Sequence, residues 1–373
     1  MRLIRACGLV ACLLSPLLWA QEAAPRIIEI VFEGNRITQP QTMQREISIQ
    51  AGDAVDAAAL EQSRQSIQDL GLFRSVTVSQ TPVEGGVRVS FAVVEKFYLL
   101  PFPRVSASVD GRNSYGAELR WNNVLGLNHS LRTLVSSHSA RDSGRGRDLR
   151  YFIGYNAPFL WDSPYTLALH VGHTETPVEI PVAYDENTDE LGFLISRRVG
   201  GNESAASQGW SAGAGLKWMR HQTQGPLAPA PYGNATALVT ELGYRDFHDN
   251  IYSDGGRRFG ARFEVADHRW ASDYSYTRFT TEYKQVINLG QAHEDLVFAA
   301  ELGSLNIART GSQEFSLGGS QGLRGYERNL VRGDFYYLSS VEYLHPLRWD
   351  WLRWAVILEA GNAHDTAGQV SGR

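Results

Sequence analysis

Residues 259–266, reading FGARFEVA, set Phe259, Ala261, Phe263 and Val265 on one side of an extended chain and Gly260, Arg262, Glu264 and Ala266 on the other. Successive side chains of a β-strand point to opposite faces, so this octapeptide reads as a strand with one apolar and one charged face. The pattern recurs: Tyr165, Leu167, Leu169 and Val171 alternate with Thr166, Ala168, His170 and Gly172. Phe279, Tyr283 and Ile287 oppose Glu282 and Lys284, and Leu296, Phe298 and Leu302 oppose Asp295 and Glu301. From Pro103 onward there is no helical periodicity. A soluble sandwich also alternates, but it rarely offers such uniform strands joined in turn by short links like residues 160–163 and long polar ones like residues 222–234. A membrane barrel needs about ten residues per tilted strand, short turns on one side, longer loops on the other, and aromatic girdles. Tyr151, Tyr155, Phe159, Trp161, Trp218, Tyr244, Tyr283 and Tyr343 would supply girdle or lipid-facing rings. The reading is an all-β transmembrane antiparallel barrel over residues 103–373, with about thirteen alternating segments between Val105 and Gly361. Single-chain bacterial barrels close with an even count, so an odd count leaves one strand unpaired.

Composition fits this class. The 373 residues carry a net charge of -5, 43% hydrophobic residues, 11% aromatics and 36 glycines, with no basic excess that would point to nucleic acid. Residues 1–20 read as a signal peptide: Arg2 and Arg5, an apolar run over residues 6–18, then Trp19-Ala20 before Gln21. Leu9-Val10-Ala11-Cys12 resembles a lipoprotein cleavage box, but cleavage there would strand apolar residues 13–19 on the mature chain. Both cysteines, Cys7 and Cys12, lie in the signal, so the mature protein would fold without disulfides. No later apolar run approaches the ~20 residues of a membrane helix, which leaves a barrel as the only spanning structure.

Residues 26–96 form a separate α/β unit of order β-α-α-β-β. Residues 26–32 (RIIEIVF) alternate as a strand and stop at Gly34-Asn35. A short helical stretch over residues 42–49 ends near Gly52, and a second helix opens after Asp56, sets Leu60, Ile67 and Leu70 on one face, and stops at Gly71. Strands over residues 76–80 and 87–94 follow, joined at Glu84-Gly85-Gly86. The opening strand with Glu33-Gly34-Asn35, then Ala51-Gly52-Asp53, Asp69-Leu70-Gly71-Leu72-Phe73, and Val93-Val94-Glu95 together resemble a POTRA domain. That resemblance implies a periplasmic module that adds an extended polypeptide to a sheet edge. The client edge is placed on the last strand, at Val87, Val89, Phe91 and Val93.

Between two strand-like segments lies GGSQGLRGYERN, residues 318–329, with four glycines and one central arginine. Glycines let a backbone approach other structure closely, and an arginine among them commonly has a fixed partner. Following a signal, one POTRA-like module and a barrel, Gly318, Gly319, Arg324, Gly325 and Tyr326 resemble the sixth-loop motif of the BamA/TamA outer-membrane assembly superfamily. The resemblance implies a loop between strands eleven and twelve that folds into the lumen, its arginine meeting a carboxylate on the wall. Alternation turns Trp354, Val356, Leu358 and Ala360 to lipid and Ala355, Ile357, Glu359 and Gly361 inward, so Glu359 is the first candidate partner and Glu342 the second. Family barrels have sixteen strands and a terminal aromatic. This chain ends AGQVSGR, so the resemblance implies that about three strands are missing and the barrel is incomplete.

Other chemistry has little support. The ten histidines are scattered without HExxH, which argues against a metal site, and the glycine loop lacks the Lys-Ser/Thr of a phosphate cradle. Asp246, His248 and Asp249, in a predicted loop, are the basis for a barrel hydrolase as an alternative. The expected function is non-enzymatic: insertion, assembly or translocation of client proteins or lipids through strand addition at POTRA and barrel edges, with no cofactor. A passive pore plugged by its loop is the other alternative. The implied partners are outer-membrane lipid, an extended client polypeptide, and periplasmic or inner-membrane accessory proteins, at the outer membrane of a Gram-negative-type bacterium.

Overall fold

In the computed structural model, which describes residues 25–107, 113–138, 148–178, 184–199, 208–228, 233–249, 254–290, 293–307, 314–319, 322–326, 330–349 and 352–366, an α/β module leads into one very large sheet. The signal-peptide reading and the polar C-terminal residues 367–373 lie outside the described residues.

The module runs β1 (Ile27–Glu33), α1 (Pro40–Gln44), α2 (Ala57–Gln68), β2 (Phe73–Val83) and β3 (Gly86–Glu95). α1 starts on a proline, whose missing N–H costs nothing in a first turn. It is shorter than the expected helix over residues 42–49. Ile47 and Ile49 are both buried at a spacing of two, the period of extended chain, so the core itself draws this segment out of the helix. α2 is capped by Asp56, whose side chain accepts from the Ala58 amide at 3.0 Å. Its Leu60 and Ile67 close over Phe73, Val89 and Phe91 in a single core. Gly34 is required because its backbone passes the Val93 carbonyl, where an added Cβ would lie 2.2 Å from the oxygen.

The sheet order is β1-β3-β2, which corrects the expected client edge. β3 is central: it pairs in parallel with β1 and antiparallel with β2. Val87, Val89, Phe91 and Val93 are at most 7% exposed. They are core residues on a strand whose neighbours already take its backbone groups. A run that is apolar at every second position marks burial; the crossover through the two helices leads to the far edge, β2, and the β2–β3 hairpin then folds β3 back into the middle of the sheet. The edges are β1 and β2.

The large sheet comprises β4 (Leu99–Ala107), β5 (Asn113–Val124), β6 (His129–His138), β7 (Asp148–Ala157), β8 (Tyr165–Val178), β9 (Tyr184–Arg198), β10 (Gly209–Gln224), β11 (Gly233–Asp249), β12 (Asp254–Ala266), β13 (Tyr276–Asn288) and β14 (Asp295–Ile307). A short hairpin, β15 (Phe315–Leu317) with β16 (Val331–Gly333), is followed by β17 (Phe335–Pro346) and β18 (Arg353–His364). Thirteen strands lie in chain order, all antiparallel, with β14 bonded directly to β17. The glycine-rich segment therefore links the eleventh and twelfth strands of the sheet.

Register carries one face continuously across the sheet. Leu169, Phe193, Leu216, Leu238 and Val265 occupy successive register positions, as do Phe263 and Phe279. Leu169, Phe193, Leu216, Leu238, Phe263 and Phe279 are all more than a third exposed, as are Phe298, Val341, Val356 and Leu358 on the same face. An apolar face of that extent is untenable in water and is the lipid face of a membrane barrel. The strands range from nine residues in β4 to seventeen in β11, so several outreach the about ten residues that cross hydrocarbon. The polar stretch 222–234 is accordingly partly strand, and Asp246, His248 and Asp249 belong to β11 rather than to a loop.

The module is tied to the barrel by a buried polar knot. Thr38, only 2% exposed, gives its hydroxyl proton to Glu95 Oε1 at 2.6 Å and accepts from Asn123 Nδ2, at the end of β5, at 2.8 Å. With that proton committed, Tyr98 must donate across its 3.0 Å contact with Thr38 Oγ1. Burial pushes the Tyr98 phenol up to about 12 and keeps it a donor. Backbone bonds join Gln39 N to Gly126 O at 2.9 Å and Asn122 N to Tyr98 O at 2.8 Å. Burial raises the Glu95 carboxyl, but bonds from Thr38, Ile37 and Arg36 outweigh it and hold the group below its ordinary value. A depressed carboxyl stabilises the fold above its unfolded value of 4.5, and that contribution disappears as pH falls through the lower folded value. Hydrogen exchange at the Ile37 and Thr38 amides, corrected for intrinsic rate, should therefore show protection at pH 6 that vanishes on acidification below the ordinary carboxyl range. Glu95→Gln should lack that protection already at pH 6; exchange identical to the wild type would contradict the assignment.

Candidate functional site

The site is the inward return of the segment between β14 and β17. β15 and β16 form the stem, with Phe315 packed on Tyr336 at 4.6 Å between ring centroids and under the Arg278 guanidinium at 4.4 Å. Gly318 N bonds Gly322 O at 3.0 Å and Gly319 N bonds Tyr326 O at 3.2 Å, which closes the tip on itself. Gly322 must be glycine on two counts. Its φ is +91°, and a Cβ there would lie 2.5 Å from Leu338 Cδ2 on the β17 wall. The backbone thus comes flush against the inner face, which seats Leu323 at 8% exposure and directs the next residue at the wall.

That residue is Arg324. Its Nε donates to Glu359 Oε1 at 2.7 Å and its backbone N–H to Glu359 Oε2 at 2.6 Å, while Nη2 donates to Glu342 Oε1. Both candidate carboxylates are therefore engaged together rather than as alternatives. Glu342 pairs with Ile357 across β17 and β18, two positions from Glu359, so the two carboxyls flank one guanidinium. The Glu359 side chain is 10% exposed against 45% for Arg324, so the carboxylate is set in the wall and the arginine comes to it. Charge-assisted bonds to two acceptors fix both the position and the plane of the guanidinium. Gly325 follows with open space beyond it, and Tyr326 presents its ring at 58% exposure. Residues 320, 321 and 327–329 of the motif lie outside the described residues.

A second set of contacts, where α/β module and barrel mouth meet, was not legible beforehand. Asp69, at the end of α2 and 2% exposed, accepts from Gln208 Nε2 at 2.8 Å and lies 2.8 Å from His248 Nδ1 on β11. Arg45 pairs with Asp162 in the β7–β8 turn and covers the Phe159 ring at 4.9 Å. This corrects the expected grouping of Asp246 with His248. The carboxylate that meets His248 comes from the α/β module, and Asp246 lies instead 3.6 Å from Arg257 on β12. His248 joins two domains. A cavity of about 1140 Å3 opens between them, with Leu70, Phe97 and Tyr98 on one side and Asn122, Asn156 and Arg245 on the other. Asn-Asn at the end of β5 followed by Gly126 was the one sequence signal of this docking turn.

An α/β module docked on a sheet with a lipid-facing exterior and a loop-filled inner face defines a POTRA-bearing membrane β-barrel. Residues 25–96 match the POTRA domain described as surface antigen variable number repeat, and residues 123–373 match the Omp85 superfamily domain. The chain belongs to the Omp85 superfamily of outer-membrane β-barrels, in the manner of BamA and TamA, with a single POTRA. It is similar in fold to BamA from Haemophilus ducreyi lacking POTRA domains 1-3, at 18% identity and TM-score 0.55, covering 93% of this chain and 73% of that one. CdiB from Acinetobacter baumannii gives 16% identity and TM-score 0.58, covering 91% and 64%. CdiB from Escherichia coli gives 13% and 0.61, covering 88% and 63%. The chain thus spans under two thirds of either CdiB. No curated protein sequence matches it.

If Arg324 and Glu359 act as one unit, Arg324→Ala and Glu359→Gln will each lower the thermal midpoint of the folded barrel. The double variant should be no worse than the more severe single, with a coupling on the order of 1 kcal/mol in a double-mutant cycle. Strict additivity would mean that the two groups act separately.

Proposed function

We propose that this chain inserts or translocates polypeptide clients at the bacterial outer membrane, with its POTRA module in the periplasm receiving an extended segment and passing it to the barrel. The observation that carries this reading is an open strand edge on a module that is docked to the barrel. β1 is partly covered, since Ile27 donates its backbone N–H to Asp53 O and accepts from Gly52 N at its carbonyl. β2 is eleven residues long and pairs only with β3 among the described residues, so residues 77–81 offer their outer backbone groups to a guest strand. The cavity of about 1140 Å3 between the two domains gives that guest a place to go.

The loop acts as a latch: Arg324 pins it against Glu342 and Glu359, and its tip fills part of the lumen. Client strands take up unmet backbone hydrogen bonds, and the free energy comes from their own folding or insertion into lipid. The client is polypeptide; outer-membrane lipid is the solvent, and periplasmic or inner-membrane accessory proteins would deliver the client.

A photoreactive residue placed at Ser79 on β2 should capture client in living cells, whereas one at Arg88 on the central strand should not. Depletion of the chain should reduce other outer-membrane or secreted proteins. Unchanged levels of those proteins, with ion conductance by the purified chain, would make it a passive pore instead.

A further inference from the structure

Among the described residues, the inner face carries a charge cluster with a surplus of arginine that the latch and the domain joint do not use. On β5, Glu118 is set into the wall with its side chain 1% exposed, and three arginines surround it. Arg104 of β4 donates to Oε2 at 2.5 Å; Arg120 of β5 and Arg132 of β6 donate through Nε to Oε1 at 2.6 and 2.8 Å. Arg120 and Arg132 stand directly opposite each other in the β5–β6 register, an arrangement that repels unless an anion lies between them. Among the described residues one carboxylate answers three guanidiniums, which leaves a surplus of two positive charges in the cluster.

Geometry leaves the arginines available. Their side chains are 48%, 47% and 50% exposed, although each is anchored at one edge, so their remaining N–H donors face the inner space. Arg120 is further fixed above the Phe102 ring at 5.0 Å. In the Arg104 row the neighbouring positions are small, Gly116 and Ser136, while Gly154, next to Arg132 in its row, is covered by the Phe152 ring. A buried carboxylate that holds three guanidinium forks, with open space in front of them, is a preorganised oxyanion site.

We propose that Arg104, Arg120 and Arg132, positioned by Glu118, bind a phosphate group on the inner wall of the barrel. A phosphate monoester dianion matches the surplus of two charges and offers more acceptor oxygens than a carboxylate, which the cluster already contains. The phosphate is either that of a lipid head group or free inorganic phosphate.

The test is calorimetric titration of the full chain in neutral detergent micelles with inorganic phosphate, at ionic strength held constant with chloride. Saturable binding is expected, weakened about tenfold or more in Arg120→Gln and in Arg132→Gln by loss of a charged donor. Arg132→Lys, which keeps the charge and loses the fork, should fall between, and it reports on the site even if a glutamine variant misfolds. Arg258→Gln, elsewhere on the inner face, should bind as the wild type does. Short-chain phosphatidic acid is the second arm: displacement of phosphate by it assigns the site to a head group, and failure to displace assigns it to free phosphate. No binding above chloride, equal binding by the Arg120 and Arg132 variants, or preference for a glutamate-rich peptide over phosphate would each overturn the proposal.

Discussion

Hydrocarbon offers a backbone N–H no partner, and from that constraint the order of this barrel follows. Each strand between β4 and β18 takes its hydrogen bonds from its neighbours in an unbroken antiparallel series. Once register is fixed, parity is fixed with it, because a slip of one residue would exchange the two faces. Apolar residues are driven to lipid, and every charged residue interleaved with them is committed to the inside. Those charges then have to be answered there, as Lys217 is by Glu190 and Glu264, each at 3.4 Å, and Arg262 by Glu241 at 2.5 Å and Glu264 at 2.8 Å.

The latch is a case of the same logic. Glu342 and Glu359 face inward on adjacent strands, and the charge that meets them is supplied by a loop. For that loop to reach the wall its backbone must come within van der Waals range of Leu338, which only glycine at position 322 permits. Sequence composition, backbone geometry and electrostatics are therefore one argument. The α/β module is joined by comparable means: across the domain boundary the nearly inaccessible Thr38 meets Asn123, and the likewise buried Asp69 meets Gln208 and His248. Polar contacts of that kind fix orientation while remaining separable.

Much of this was legible in the sequence wherever one residue determines its own environment. Alternation in residues 259–266 and their counterparts yields strands, faces and a lipid exterior, and the same parity turns Glu359 toward Arg324. Strand order was not legible. The apolar alternation of Val87, Val89, Phe91 and Val93 says that they are buried, but only the parallel pairing of β1 with β3 shows them to be central. Strand ends were also hidden, since beyond the hydrocarbon a polar strand resembles a loop, as at His248. Contacts between domains, such as Asp69 with His248, join residues far apart in sequence and leave no periodic trace.

The central claim, that the glycine loop is seated on the inner wall, can be tested directly by disulfide trapping in membranes. In a chain with Cys7 and Cys12 replaced by alanine, Gly322→Cys with Leu338→Cys, in which loss of the Leu338 methyl groups makes room for the new Cβ, should cross-link on mild oxidation. Gly322→Cys with Leu358→Cys, which points to lipid from the next strand, should not, in a chain that also carries Leu338→Ala so that the loop has the same room. Equal yields from the two pairs, or none from the first, would contradict the account.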